Sequence, residues 1–175
     1  MFVLGIDPGL SRCGYGCVGA EGPRKRAVAA GVITTALDSP VPYRLATLRS
    51  ELHALITELQ PDVVVVERVF FQTNARTAMS VGQASGVALL TAVELGCEVA
   101  EYTSNEVKLA VTGFGAATKD QVQQMVARLL DLSAVPKPPD AADALALSLC
   151  HLSTAPWARA PHEAAFARAE RRVGP

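Results

Sequence analysis

Four acids of this chain stand where an apolar run meets a turn or a helix start. Asp7 ends "FVLGID" and Glu67 ends "DVVVVE", while Asp140 and Asp143 lie three apart at the mouth of "DAADALALSLCH". Residues three apart on a helix share a face, so both aspartates can reach one ligand. Helix capping alone would also account for the pair, since an aspartate N-cap is worth about 0.5–2 kcal/mol and a nearby acid adds a smaller dipole contribution. The two roles are compatible, because the positive end of the helix dipole keeps both groups ionised. Four carboxylates without a histidine or cysteine cluster make a hard, all-oxygen site, suited to Mg²⁺ or Mn²⁺ and poorly suited to zinc. Two such ions about 3.5–4 Å apart can activate water on one side of a phosphodiester and stabilise the leaving oxygen on the other. That chemistry needs no side-chain nucleophile.

The acids can meet only if the elements bearing them are neighbours. "FVLGID" reads as a strand stopped by a Pro-Gly turn, and "GYGCVGA" and "AVAAGVITT" as two more strands joined by the polar turn "EGPRKR". Leu45, Leu48, Leu52, Leu55, Ile56 and Leu59 form a helical stripe between Tyr43 and Gln60, closed by Pro61. "DVVVVE" is too short and too β-branched for a helix and reads as a central strand buried on both faces, which belongs to an α/β sheet. A helix is predicted over Ala75 to Leu95 and a strand over Glu98 to Tyr102. Two helices open with capping-box spacing, Thr103 with Glu106 and Thr118 with Gln121. "SAVPKPP" breaks the chain before a last helix from Asp140 to about Leu152. In such sheets ligands bind outside the carboxyl ends of strands, where Asp7 and Glu67 are placed; spacing alone leaves open whether the two strands are adjacent.

Composition bounds the rest. A length of 175 residues is one ordinary domain, and 50% hydrophobic with 19% charged residues excludes disorder for its body. We divide the chain into a domain over 1–153 and a loose tail over 154–175, where alanine, proline and arginine replace any apolar stripe. A net charge of −1 carries no global signature of nucleic-acid binding, so that role would need a local basic patch. Cys13, Cys17, Cys97 and Cys150 lack zinc-ligand spacing and read as reduced and buried. No basic leader and no run of ~18 apolar residues is present, so a cytoplasmic protein without membrane contact is the expectation.

Taken together, "GIDPGLSRCGYG", "VVVVERVFFQTNARTAMSVGQASGVALL", "EYTSNEVKLAVTGFGAATKDQVQQMV" and "DAADALALSLCH" resemble, in order and spacing, the RuvC family of bacterial Holliday-junction resolvases. The resemblance covers nearly the whole chain. It implies a ribonuclease H-like α/β fold with a five-stranded mixed sheet flanked by helices. The implied activity is a homodimeric endonuclease that binds a four-way DNA junction and nicks two strands of like polarity. Asp7, Glu67, Asp140 and Asp143 would be its catalytic, metal-binding carboxylates, with Mg²⁺ as cofactor, Mn²⁺ as substitute and two ions per site. RuvA and RuvB, the branch-migration proteins, are the implied partners.

Around the acids lies a candidate DNA-binding margin. Phe70 matches the family aromatic that stacks on an unpaired base, worth roughly 1–3 kcal/mol per base, and Phe71 is left to the core. Lys119 opens its helix, where the dipole disfavours a cation unless an anion is near. Free N–H groups and a lysine there make a phosphate-binding corner, which Lys108, Arg68 and Arg76 would extend. Plain solvation accounts for Lys108 and Arg76 equally well on sequence grounds. Gly82 and Gly86, one turn apart, permit a close approach that is either internal packing or, as the resemblance implies, a dimer contact. His53, His151 and the tail arginines receive no role. A nucleotide-binding module of the actin and sugar-kinase type is the competing reading, since "GIDPG" before a hairpin resembles its first phosphate loop; the chain has no room for the second lobe. A junction binder without catalysis is the third reading, and it would need one acid missing or misplaced.

Overall fold

The all-valine run lies in a five-stranded sheet whose order explains its composition. The computed structural model of the chain describes residues 1–68 and 75–155, and for 75–77 the backbone alone. Its elements are β1 (Phe2–Asp7), β2 (Arg12–Glu21), β3 (Arg24–Thr34), α1 (Val41–Leu59), β4 (Val63–Glu67), α2 (Ala75–Glu94), β5 (Glu98–Tyr102), α3 (Ser104–Thr112), α4 (Lys119–Leu129) and α5 (Pro139–Thr154). The sheet order is β3-β2-β1-β4-β5. β1, β2 and β3 pair antiparallel, whereas β4 is parallel to both β1 and β5. The fold is thus the expected mixed sheet.

Helices cover both faces of β4. Val63 and Val65 pack with Val107 of α3, Val122 and Val126 of α4, and Leu145 and Leu149 of α5. Val64 and Val66 point the opposite way, toward Leu48, Leu52 and Ile56 of α1 and Ala84, Ala88 and Ala92 of α2. A strand alternates its side chains with period two, so two apolar layers require an unbroken apolar strand. All four cysteines are buried in these layers. No helix among the described residues is long and apolar enough to cross a membrane.

α5 lies directly on β1 and β2 because glycines clear its path. A Cβ on Gly5 would overlap the carbonyl of Ala144, one on Gly14 the carbonyl of Asp140, and one on Gly16 would stand 2.6 Å from the Leu145 nitrogen. Small residues answer from the helix: Ala141, Ala142 and Ala144 are buried. The buried Ser148 hydroxyl lies 3.1 Å from the Val3 carbonyl and 2.8 Å from that of Gly16, tying the helix to both strands. This seating sets where the first turn of α5 points.

Several boundaries differ from the sequence reading. β2 and β3 run through most of "EGPRKR" to a two-residue turn at Gly22-Pro23, Glu21 pairing with Arg24. Gly22 has φ +59°, the conformation a tight hairpin asks of its first turn residue. Basic residues are tolerated there because β3 is an edge strand with a solvent face. α1 starts at Val41, with Pro42 in its first turn, and ends with Gln60 in the left-handed region before Pro61. α5 continues to Thr154, past the expected end of the domain at 153. Both capping boxes, Thr103 with Glu106 and Thr118 with Gln121, are complete.

Candidate active site

Register brings the first two acids together. β1 and β4 are adjacent and parallel with Ile6 opposite Val66, so Asp7 and Glu67 occupy the next position at both carboxyl ends. Alternation then decides their face: Ile6 and Val66 belong to the α1–α2 layer, which turns Asp7 and Glu67 toward α3, α4 and α5. There they line a pocket of about 300 Å³ with Asp143, Lys108, Lys119 and Ser104, floored by Val107, Val122, Ala146 and Leu147. Three of the four predicted acids and both predicted lysines share this pocket.

The α5 acids are not caps. Pro138 occupies the N-cap and Pro139 follows it, no side chain caps the helix, and Asp140 sits within the first turn. The capping account of the pair therefore fails. Each acid is instead met by a cation: Arg12 Nη2 lies 2.7 Å from Asp140 Oδ2, and Lys119 Nζ lies 2.5 Å from Asp143 Oδ2. Gln123 donates to Asp143 Oδ1 at 3.4 Å. The anion that settles Lys119 at its helix start is thus Asp143 of the same chain. Asp140 is outside the pocket lining, yet close enough for its charge to act on Asp7.

The electrostatics describe a site short of positive charge. Burial pushes the Asp7 carboxyl up to about 7, and the charges of Glu67, Asp143 and Asp140 push the same way against the pull of Lys119. Burial, with Asp143, also raises Glu67, opposed by Lys119 and Lys108. The hydrogen bond that Lys119 donates to Asp143 raises Lys119 despite burial. Burial pushes Asp140 up, but the hydrogen bond and charge of Arg12 outweigh it and hold that carboxyl below its usual range. Asp7 and Glu67, the strand-tip acids, stay raised by burial and acidic neighbours even with the lysines beside them.

Among the described residues no three His, Cys, Asp or Glu side chains stand ready-made as a metal cluster. The donor set nonetheless fits one cation type. It is all oxygen, and burial together with the like charges around it raises Asp7 to about 7, a penalty that a divalent ion would relieve. Mg²⁺ keeps several waters and uses one or two direct carboxylates, so a spread set of acids suits it better than a closed cage would.

Other predicted residues fall elsewhere. The Arg68 backbone N–H donates to the Tyr102 carbonyl at 2.8 Å, and its charge acts on Glu106 at the start of α3, outside the pocket lining. Phe70, Phe71 and the side chain of Arg76 lie outside the described residues. His151, assigned no role, is buried with Nδ1 3.1 Å from the Tyr102 hydroxyl, an internal tie between α5 and β5. Sequence reasoning missed Arg12, Ser104 and Gln123. The one available signal was a basic residue just past the Pro-Gly turn that follows Asp7.

Acids at the tips of adjacent parallel strands, with a helix laid across the sheet, define a ribonuclease H-like protein with an oxygen-lined, cation-seeking pocket. Comparison with known proteins then narrows the class. The family profile described as "Crossover junction endodeoxyribonuclease RuvC" matches residues 3–151. The RuvC of Salinispora arenicola is 54% identical over 153 residues, 87% of each chain, and that of Alkaliphilus oremlandii 50% identical over 154 residues, 88% of this chain and 94% of that one. The Thermus thermophilus RuvC structure superposes with a TM-score of 0.82 at 35% identity, covering 89% of this chain and 95% of that one. A second T. thermophilus RuvC structure, in complex with a Holliday junction substrate, gives a TM-score of 0.84 at 35% identity, covering 89% and 94%. This chain belongs to the crossover junction endodeoxyribonuclease RuvC family.

Proposed function

We propose that this protein is a metal-dependent endonuclease that resolves four-way DNA junctions in recombination and repair, nicking two strands of like polarity. One observation carries the reading at the site: Asp7 and Glu67 on neighbouring strand tips share a pocket with Asp143, rimmed by Lys108 and Lys119. Asp7, Glu67, Asp140 and Asp143 would hold the ions, Mg²⁺ by preference with Mn²⁺ able to substitute, two per site. When bound, such ions supply an activated water and a counter-charge for the leaving oxygen. The chain's own residues do the positioning. The apolar floor of Val107, Val122, Ala146 and Leu147 limits water behind the acids. Lys108 and Lys119 place positive charge beside the acids, where a phosphate would otherwise be repelled. Phe70 is assigned to the DNA margin on the family resemblance, and Arg68 and Arg76 as cations that would extend the phosphate-binding corner.

The homodimer belongs to the same proposal, with α2 as its seam. Met79, Leu90 and Val93 are exposed on α2, and among the described residues nothing beyond the helix's own neighbouring backbone stands within 4 Å of a Cβ built on Gly82 or Gly86. A second copy on that face would set two pockets on a two-fold axis, which a two-fold junction needs. RuvA and RuvB as partners, a cytoplasmic setting and a tail beyond 153 independent of the nuclease domain rest on the resemblance and the composition. The test is direct. Purified protein is incubated with a synthetic four-way junction, with and without Mg²⁺, and its mass in solution is measured alongside. Paired nicks that need the metal, from a dimer, support the reading; ATP hydrolysis without cutting would favour the kinase-type module instead.

A further inference from the structure

Arg12 has no part in the reading above, yet it holds one of the four acids. It opens β2, two residues before Gly14, the strand partner of Asp7. Its Nη2 and Nε lie 2.7 and 3.2 Å from the same oxygen, Asp140 Oδ2, so the guanidinium leaves Oδ1 to other partners. Gly14 brings the Asp140 backbone against β2, which places the carboxylate within reach of this arginine. The Arg12 side chain is half exposed and lies outside the pocket lining.

We infer that Arg12 is a positioning residue that competes with the divalent cation for Asp140 and so sets how tightly the pocket holds metal. The inference rests on the metal-dependent reading given under the proposed function. Two physical effects act in the same direction. The guanidinium occupies lone pairs of Oδ2, and its permanent charge repels a divalent ion approaching the far side of the same carboxylate. Neither strand-tip acid, Asp7 or Glu67, forms an ion pair with another described residue, whereas both α5 acids do. A cation therefore meets carboxylates without a direct ion-pair partner at Asp7 and Glu67 first, and gains Asp140 only as Arg12 gives way. The pair is only partly buried, Asp140 more enclosed than Arg12, so Arg12 can give way when the cation binds but at a cost that weakens the binding.

The test is calorimetric titration of Mg²⁺ into the full chain, stripped of metal and free of DNA. Wild type is compared with Arg12→Gln, Arg12→Lys, Asp140→Asn and the double variant Arg12→Gln/Asp140→Asn, and thermal melts check folding. Arg12→Gln should bind Mg²⁺ on the order of tenfold more tightly, equivalent to ~1.4 kcal/mol. Arg12→Lys, which keeps the charge but loses the fork, should fall between. With Asp140→Asn in place, adding Arg12→Gln should change affinity by no more than about twofold, since its target is gone. Equal or weaker Mg²⁺ binding by both Arg12 variants would overturn the competition. No Mg²⁺ binding by wild type and variants alike would overturn the metal site itself, a separate outcome.

Discussion

Replacing Asp7 by asparagine should make the metal-free protein more stable above neutral pH. The carboxyl is held at about 7 instead of its ordinary 3.8, by burial and by three acidic neighbours. An acid raised in this way binds its proton more tightly folded than unfolded. Its stabilising effect is complete below about pH 4, declines as pH climbs, and is gone above about pH 7. The difference of about 3 units, at 1.36 kcal/mol each, sets a ceiling of about 4 kcal/mol on the cost of ionising Asp7 in the fold. Water in the open pocket and relaxation of the acids reduce this, so ~2 kcal/mol is the working value. For a domain of this size that is roughly 4–8 °C in Tm. Asparagine matches the neutral acid in shape and donates a hydrogen bond to acidic neighbours, so it removes the cost without opening a cavity. The assay is a thermal melt in EDTA at about pH 8 and pH 5, where the advantage of Asp7→Asn should shrink to less than half. Mg²⁺ should raise the wild-type Tm more than that of the variant, because it binds the ionised site. A variant no more stable than wild type at pH 8 without metal would refute the reasoning.

The same geometry makes further outcomes measurable. Asp7→Asn should abolish cutting of a four-way junction while retaining binding in a gel-shift assay; retained cutting would remove Asp7 from the chemistry. Lys119→Ala takes away the cation that lowers both Asp7 and Glu67; their pKa values should rise, and the acidic limb of the pH–rate profile for cutting should move to higher pH. Gly16→Ala puts a methyl 2.6 Å from the Leu145 nitrogen, and chemical denaturation should show a loss of about 1–3 kcal/mol. Junction binding should weaken steeply between about 50 and 200 mM salt, as phosphate contacts require; a flat response in a filter-binding series would dismiss the basic margin of Lys108 and Lys119.

Local signals are legible in the residues themselves. Two capping boxes, the buried valine strand and the amphipathic stripe of α1 all depend on interactions within a few residues, so pattern and structure agree. Boundaries were less legible at "EGPRKR", because a polar stretch on an edge strand looks like a turn until the strand beside it is known. The start of α5 is ambiguous in sequence for a similar reason. Asp140 has the residue type and place of a cap, but Pro138 and Pro139 take the first positions, and a partner 128 residues away takes the carboxylate.

What the sequence by itself determined is the inventory: which acids and bases exist, which end their strands, and which share a helix face, since period two and period 3.6 follow from local backbone geometry. What only the tertiary structure decided is company. The parallel pairing of β1 with β4 puts Asp7 beside Glu67, and glycines on β1 and β2 let α5 descend until Asp143 reaches the same pocket and Asp140 meets Arg12. Charge interactions depend on distance through space, and distance through space between residues 7, 67 and 143 is set by sheet order and packing, which no short stretch of chain encodes.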